Sequence, residues 1–449
     1  MKTVLILAYD FPPYVSVGGL RPHYWYEHFK EMGIYPVVIT RNWNPIHGSE
    51  LDYIQPSDTD KVIIEETELG TLVKTPYKTT LSNRLNLKEK NDIFSNILKK
   101  ISTGWNEMGQ WFLPIGTKYE IYKAARSYLK ANKVDLILAT GEPFVLFHYA
   151  AKLSKEFGVK WVADYRDPWS DNTSRSKSSP SFRMNVRNER LALRNVAHIT
   201  TVSDFMKKKI EQIIGKKPIA IFPNGFNENA FEGIKTETQN TEVLTISLAG
   251  TIYDWHPYLA FLQTIHTYLV KYPEKRLKIH FYGINKEQEI QALITQNENL
   301  KEVVVFHPRM KNLLLLREMA KSNVLLLFNY YSYMGTKIYD YLALNRKILL
   351  CFEDDMEAQM LKEKYYNMAS ISGLSESLQA DLIHSTNSGI VVKDREQLEK
   401  VLDDLFEEFE QRKYIENHTI GAENYSRKIQ TERLVKLLIE ISNKESIKD

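Results

Sequence analysis

Gly335, Thr336, Lys337 and Asp340 place a flexible backbone, a hydroxyl, an amine and a carboxylate within six residues. Such a set suits a ligand that is both anionic and rich in hydroxyls. A glycine lets backbone approach closely, and the free N–H groups of a helix's first turn can hold an anion such as a diphosphate. Asp340, one turn later, can accept hydrogen bonds from sugar hydroxyls. The competing reading is that Asp340 only complements the helix dipole, worth roughly 0.3–1 kcal/mol. On this stretch alone both readings stay open. A second concentration of chemistry is Asp164-Tyr165-Arg166-Asp167-Pro168-Trp169, and a third is Thr140-Gly141-Glu142-Pro143. In the second, an Asp–Arg pair bracing the turn before Pro168 competes with a functional role.

The elements that must position these residues alternate between strand and helix. Residues 324–328 are a near-continuous apolar run, which predicts a strand buried on both faces of a parallel sheet. A short aromatic loop follows, and the spacing of Ile338, Tyr341 and Leu342 predicts a helix opening at Thr336 as its N-cap. The runs 134–139 and 159–163 predict strands that end at the second and third groups. Strand tips of open α/β sheets face the ligand crevice. At the start of the chain, a predicted strand at 4–8 leads through a Gly18-Gly19 turn to a helix and a strand at 35–40, one βαβ unit. A Gly-Gly pair alone is more often a plain turn. Residues 170–181 read as a Ser/Lys-rich loop, and 227–242, acidic and aperiodic, read as an interdomain linker. Alternation restarts at 244–248, which ends in Ala249-Gly250-Thr251.

Length and composition narrow the class. A chain of 449 residues calls for two domains or more. Hydrophobic content of 43% with a net charge of +3 describes an ordinary soluble globular protein, and the dispersed, matched charges speak against nucleic acid. Cys351 is the one cysteine, so no internal disulfide forms, and a reducing, cytoplasmic setting fits. Residues 1–8 are too short an apolar run for a signal peptide before Asp10 and Pro12-Pro13. No segment reaches membrane-spanning length. Between 94 and 115, Phe94, Ile97, Leu98 and Ile101 form an apolar face beside Lys99 and Lys100, followed by Trp105 and Trp111-Phe112. Such a face can bind a membrane interface, and the protein would then be membrane-associated. Packing onto the domain as an excursion is the preferred reading.

Two βα domains, a glycine turn after the first strand, Pro223-Asn224-Gly225-Phe226 at the junction and the 335–343 segment point one way. The chain resembles the nucleotide-sugar glycosyltransferases of GT-B fold, in particular the family-4-like bacterial enzymes, over nearly its whole length. Its most specific parts are 139–143, 161–169 and 335–343. The resemblance implies an α/β protein of two Rossmann-like, doubly wound parallel-sheet domains facing each other across a cleft. It implies an acceptor-side domain at 1–226, with an excursion at 80–116, and a donor domain at 243–420. The last helix, within 421–449, would pack back toward the first domain. The implied activity moves a sugar from a nucleoside-diphosphate sugar to a saccharide or lipid-linked glycan acceptor, in surface polysaccharide or glycan synthesis. It would proceed with retention of configuration and without a metal or other cofactor. A GT-B sugar-nucleotide epimerase and a non-catalytic sugar-nucleotide-binding subunit are the alternatives, and a donor screen tells them apart.

Carried over position by position, the family's ribose-binding acid falls at Asp340, five residues after Gly335, where Glu is commoner. Gly335 and Thr336 would meet the diphosphate, with Gly250 and Thr251 as the second glycine turn. Gly18, Gly19, Thr140, Gly141 and Asp164 fall on the acceptor side. The family's second acid falls at Ser332, its basic pair at Thr251 and His256, and its acceptor-side histidine at Thr140 or Gly141. Lys337, Arg309 and Arg166 are then the cations left to offset a leaving diphosphate, Arg166 by reaching across a closed cleft. Asp167 and Glu142 are the acids left near the acceptor. Asp167 is favoured because adjacent Arg166 would keep it ionised.

Overall fold

The computed structural model describes residues 1–14, 16–44, 50–171, 179–234, 236–366 and 368–444. The loop expected at 170–181 lies largely outside them. The chain forms two compact units, one comprising Met1–Pro223 with Thr431–Asp449, the other Asn224–Gln430.

The first unit is built on eight strands: β1 Lys2–Leu7, β2 Ile34–Arg41, β3 Ile63–Glu66, β4 Thr71–Thr75, β5 Leu136–Thr140, β6 Trp161–Asp164, β7 His198–Thr201 and β8 Ile219–Ile221. They lie in the order β3-β4-β2-β1-β5-β6-β7-β8. All pairs are parallel except β3 with β4. All five residues of β5 and all four of β6 are buried, which is why these runs show no polar alternation. The chain winds outward from β1 to β2 and then returns to β5 on the other side. The carboxyl ends of β1 and β5 therefore flank the topological switch point, where doubly wound sheets bind ligands. The C-terminal helix Arg427–Asn443 adds Leu434, Val435, Leu438 and Ile441 to the core that holds Val4, Ile6 and Leu138.

The second unit carries β9 Leu244–Ala249, β10 Leu277–Tyr282, β11 Val304–His307, β12 Val324–Phe328, β13 Lys347–Cys351 and β14 Gly389–Val392. Their order is β11-β10-β9-β12-β13-β14, and every pair is parallel. Here the switch point lies between β9 and β12. Leu325 pairs with Ser247, so Gly250 and Phe328 leave the sheet at one level.

Three expectations are corrected. The stretch expected as a linker is not loose at its start, because Phe231 and Ile234 are buried in the core of the second unit. Thr336 precedes the helix Lys337–Leu344, but its backbone is already helical and its hydroxyl makes no cap hydrogen bond. The helix Ile93–Gly109 does not pack its apolar face onto the domain: Phe94, Ile97, Ile101 and Trp105 are exposed, and Ser95 is the residue turned inward.

Candidate functional site

In the second unit a pocket opens at the switch point, lined by Thr251 from the turn after β9, by Phe328 and Tyr330 from the end of β12, and by His256, Gly335 and Lys337. Lys337 begins its helix and folds its side chain back over the β9 turn, donating from Nζ to the Thr251 carbonyl at 3.0 Å. Gly250 faces it with φ +76°, and a Cβ there would stand 3.2 Å from Lys337 Cε. Burial pushes the Lys337 ammonium down to about 8. His256 is buried, its Nδ1 accepts from the Tyr253 N–H at 3.2 Å, and its Nε2 has no hydrogen-bond partner. Burial, with Lys337 nearby, pushes it down to about 3, so it is a neutral imidazole at neutral pH. It cannot supply the second positive charge that the family pattern calls for.

Asp340 lies on the same helix, and burial pushes its carboxyl up to about 6, opposed by the charge of Arg427. Arg427 in turn donates from Nε to the Gly225 carbonyl at 2.9 Å. Gly225 is required there, because a Cβ would come within 2.3 Å of the Tyr425 carbonyl oxygen. Thus the Gly225 backbone holds the arginine whose charge acts on Asp340. Gly335 is less constrained than expected, since a Cβ on it would make ordinary contact with the Tyr330 ring at 3.5 Å. Arg309 is not among the lining residues. It follows the edge strand β11, is exposed, and its backbone packs against Gly283. Ser332 is buried.

In the first unit the groups gather beyond β1, β5 and β6. Arg166 donates from Nε to the Gly141 carbonyl at 2.6 Å. Its far end lies beside Gly18, where a Cβ would stand 2.8 Å from one guanidinium nitrogen and 2.9 Å from Asp10 Oδ2. Asp10 was not singled out by sequence reading. Its only signal was its place at the carboxyl end of the first strand. It accepts from the Ser16 hydroxyl at 2.7 Å, and Ser16 caps the helix Val17–His28 by accepting from the Gly19 N–H at 3.0 Å. Gly19 runs against the Asp10 backbone, with a Cβ position 3.3 Å from the Asp10 carbonyl oxygen. Burial pushes the Asp10 carboxyl up, while Arg166, Arg41 and Lys118 pull it down. Arg41 is itself buried, its guanidinium 3.9 Å from the Trp43 ring centre and 3.7 Å from that of Tyr77. Lys118 reaches over the Tyr9 ring, and burial lowers its pKa.

Asp164 and Asp167 separate here. Asp164 is fully buried, accepting from Arg21 at 3.1 Å, Thr140 at 3.0 Å and Thr200 at 2.8 Å. It ties β5, β6 and β7 to the first helix, and neither it nor the buried Thr140 hydroxyl is open to an acceptor. Asp167 and Glu142 are exposed. Arg166 pulls the Asp167 carboxyl down, as expected, but the crowding of surrounding protein outweighs it and the net shift is upward from the usual range.

Residues 106–230 match the model of Glycosyltransferase Family 4. No curated protein matches the sequence. Among solved structures, a UDP-forming trehalose-phosphate synthase from Burkholderia xenovorans is similar at TM-score 0.59 and 12% identity, covering 99% of this chain and 100% of that one. The trehalose-6-phosphate enzyme of E. coli bound with UDP-2-fluoroglucose gives 0.56 and 11%, with 99% and 100% covered. Sucrose-phosphate synthase from Thermosynechococcus elongatus gives 0.54 and 14%, with 98% and 96% covered. The fold is GT-B, with two Rossmann-like domains. The fold likeness over nearly the whole chain and the family match over residues 106–230 agree with the resemblance to family-4-like glycosyltransferases of GT-B fold.

Proposed function

We propose that the protein breaks the bond between C1 of a sugar and a nucleoside diphosphate and forms a new C1–O bond to a hydroxyl of a saccharide or lipid-linked glycan. The proton of that hydroxyl passes to a carboxylate. The observation that carries the donor half is Lys337 and Asp340 on one helix, beside the Gly250 turn at the β9/β12 switch point. An ammonium already desolvated is poised to meet a leaving diphosphate, whose charge grows in the transition state. The first-turn N–H groups beyond Gly335 and Thr336 would add to it. Asp340 would accept from the ribose hydroxyls. No metal ion is part of this proposal. A structural relative bound with UDP-2-fluoroglucose supports a nucleoside-diphosphate sugar as donor.

For the acceptor half we assign Asp167, with Glu142 and Asp10 as the other carboxylates, to proton transfer or orientation, and Arg166 to charge stabilisation. Arg309 enters only as a more distant cation. A carboxyl shifted upward is better matched to taking a proton near neutral pH than an ordinary aspartate. Retention of anomeric configuration is the outcome the resemblance supports, and proton NMR of the product tests it. The first experiment is a panel of nucleotide sugars, each with and without saccharide acceptors, with release of free nucleoside diphosphate as the readout. Release that depends on acceptor supports transfer. Interconversion of the donor sugar without release points to epimerisation, and donor binding with neither reaction points to a binding subunit.

A further inference from the structure

The helix Ile93–Gly109 is turned inside out. Its inward side is polar: Ser95 is buried, and Ser102 accepts at 3.1 Å from the N–H of Ser82, whose hydroxyl accepts from Thr103 at 3.0 Å. Its outward side carries Phe94, Ile97, Ile101, Trp105 and Met108, continued beyond the helix by Phe112, all between 50% and 70% exposed. The spacing by three and four places the helical members on one stripe. A core helix has the opposite arrangement, and large apolar patches of this kind mark interaction surfaces.

We propose that this face docks on an anionic lipid surface. Residues 81–109 carry five Lys and Arg against three Asp and Glu, a positive surplus of two. Lys100 is exposed at the edge of the stripe. A second copy seated symmetrically on this face would bring that positive surplus against itself. Anionic headgroups neutralise it while the apolar stripe enters the acyl boundary. Trp105 is of the side-chain type that prefers the headgroup level, and Phe94 and Phe112 suit the apolar face that enters the acyl boundary. Among the described residues no helix is long and apolar enough to cross a membrane, so the helix would lie on the surface. This inference stands on the exposed face and not on the sugar-transfer reading.

The test uses the full chain in flotation with vesicles of phosphatidylcholine alone or mixed with phosphatidylglycerol. The unaltered protein is expected to float with the mixed vesicles, less so at high salt. The Ile97→Glu/Ile101→Glu variant should bind about tenfold more weakly or worse, at an unchanged melting temperature, because these side chains cover no core. Brominated acyl chains should quench a part of the tryptophan emission that Trp105→Phe removes. Absence of flotation with mixed vesicles, or equal flotation of the Glu variant, overturns the proposal. A dimer seen by light scattering that the Glu variant converts to monomer does so as well, and makes the face a subunit interface.

Discussion

Gly250 and Lys337 are fitted to one another: a Cβ on Gly250 would lie 3.3 Å from Lys337 Nζ, and that Nζ donates to the carbonyl of the next residue, Thr251, at 3.0 Å. Two chain segments far apart in sequence thereby aim one ammonium at the switch point. The arrangement makes Lys337 sensitive both to its own removal and to any side chain at position 250.

Lys337→Ala should weaken binding of a nucleoside diphosphate more than binding of the bare nucleoside, as read by calorimetry. Since the amine titrates near about 8, its charge is present below that pH and lost above it. Diphosphate affinity should therefore fall as pH rises through that value, and the variant should lose this dependence. Gly250→Ala, strained at its positive φ and pressing on Lys337, should reproduce part of the loss. Equal weakening for nucleoside and diphosphate would point instead to a damaged fold.

For Asp340 two readouts should part company. Burying ribose hydroxyls without their acceptor costs about 1–3 kcal/mol, so Asp340→Ala should bind nucleoside diphosphate about tenfold more weakly or worse. The sign of the stability effect is opposite. A carboxyl raised from 3.8 to about 6 carries a penalty when ionised, present above that range and relieved as pH falls through it. Asp340→Asn should therefore melt no lower than the parent at neutral pH. Unchanged affinity in a folded variant would remove Asp340 from the site.

On the first unit, Asp167→Asn keeps size but loses basicity. It should leave nucleoside-diphosphate binding nearly intact and cut sugar transfer by about a hundredfold or more. Arg166→Ala should do likewise. Gly18→Ala tests the same corner by geometry, because its methyl would press on the movable ends of Arg166 and Asp10. Loss of turnover at an unchanged melting temperature is expected. Full turnover in folded Asp167→Asn would pass the role to Glu142 or Asp10.

Asp164→Ala should behave as a structural lesion. Removing one partner of a buried, hydrogen-bonded pair costs about 3–5 kcal/mol, and here Arg21, Thr140 and Thr200 all lose their acceptor. Denaturant unfolding should show that loss, with activity following the folded fraction. A well-folded but inactive variant would contradict it.

The alternation of apolar runs with amphipathic helices was enough to read two doubly wound parallel sheets, because strands covered on both faces have no polar positions to blur the pattern. Residues 335–340 were legible for the same reason: they follow a strand as plain as 324–328. What the sequence could not show depends on which strands become neighbours. Asp10 meets Arg166 only because β1, β5 and β6 lie side by side in register. The same adjacency buries Asp164 while Asp167, three residues on, stays exposed. Crowding by the surrounding protein then outweighed the pull of Arg166 on the Asp167 carboxyl, since desolvation depends on the whole surroundings and not on the adjacent residue. Periodicity likewise revealed the amphipathic stripe of 93–109 but not its direction, and only packing of Ser95 and Ser102 against the protein decided that the apolar side faces out.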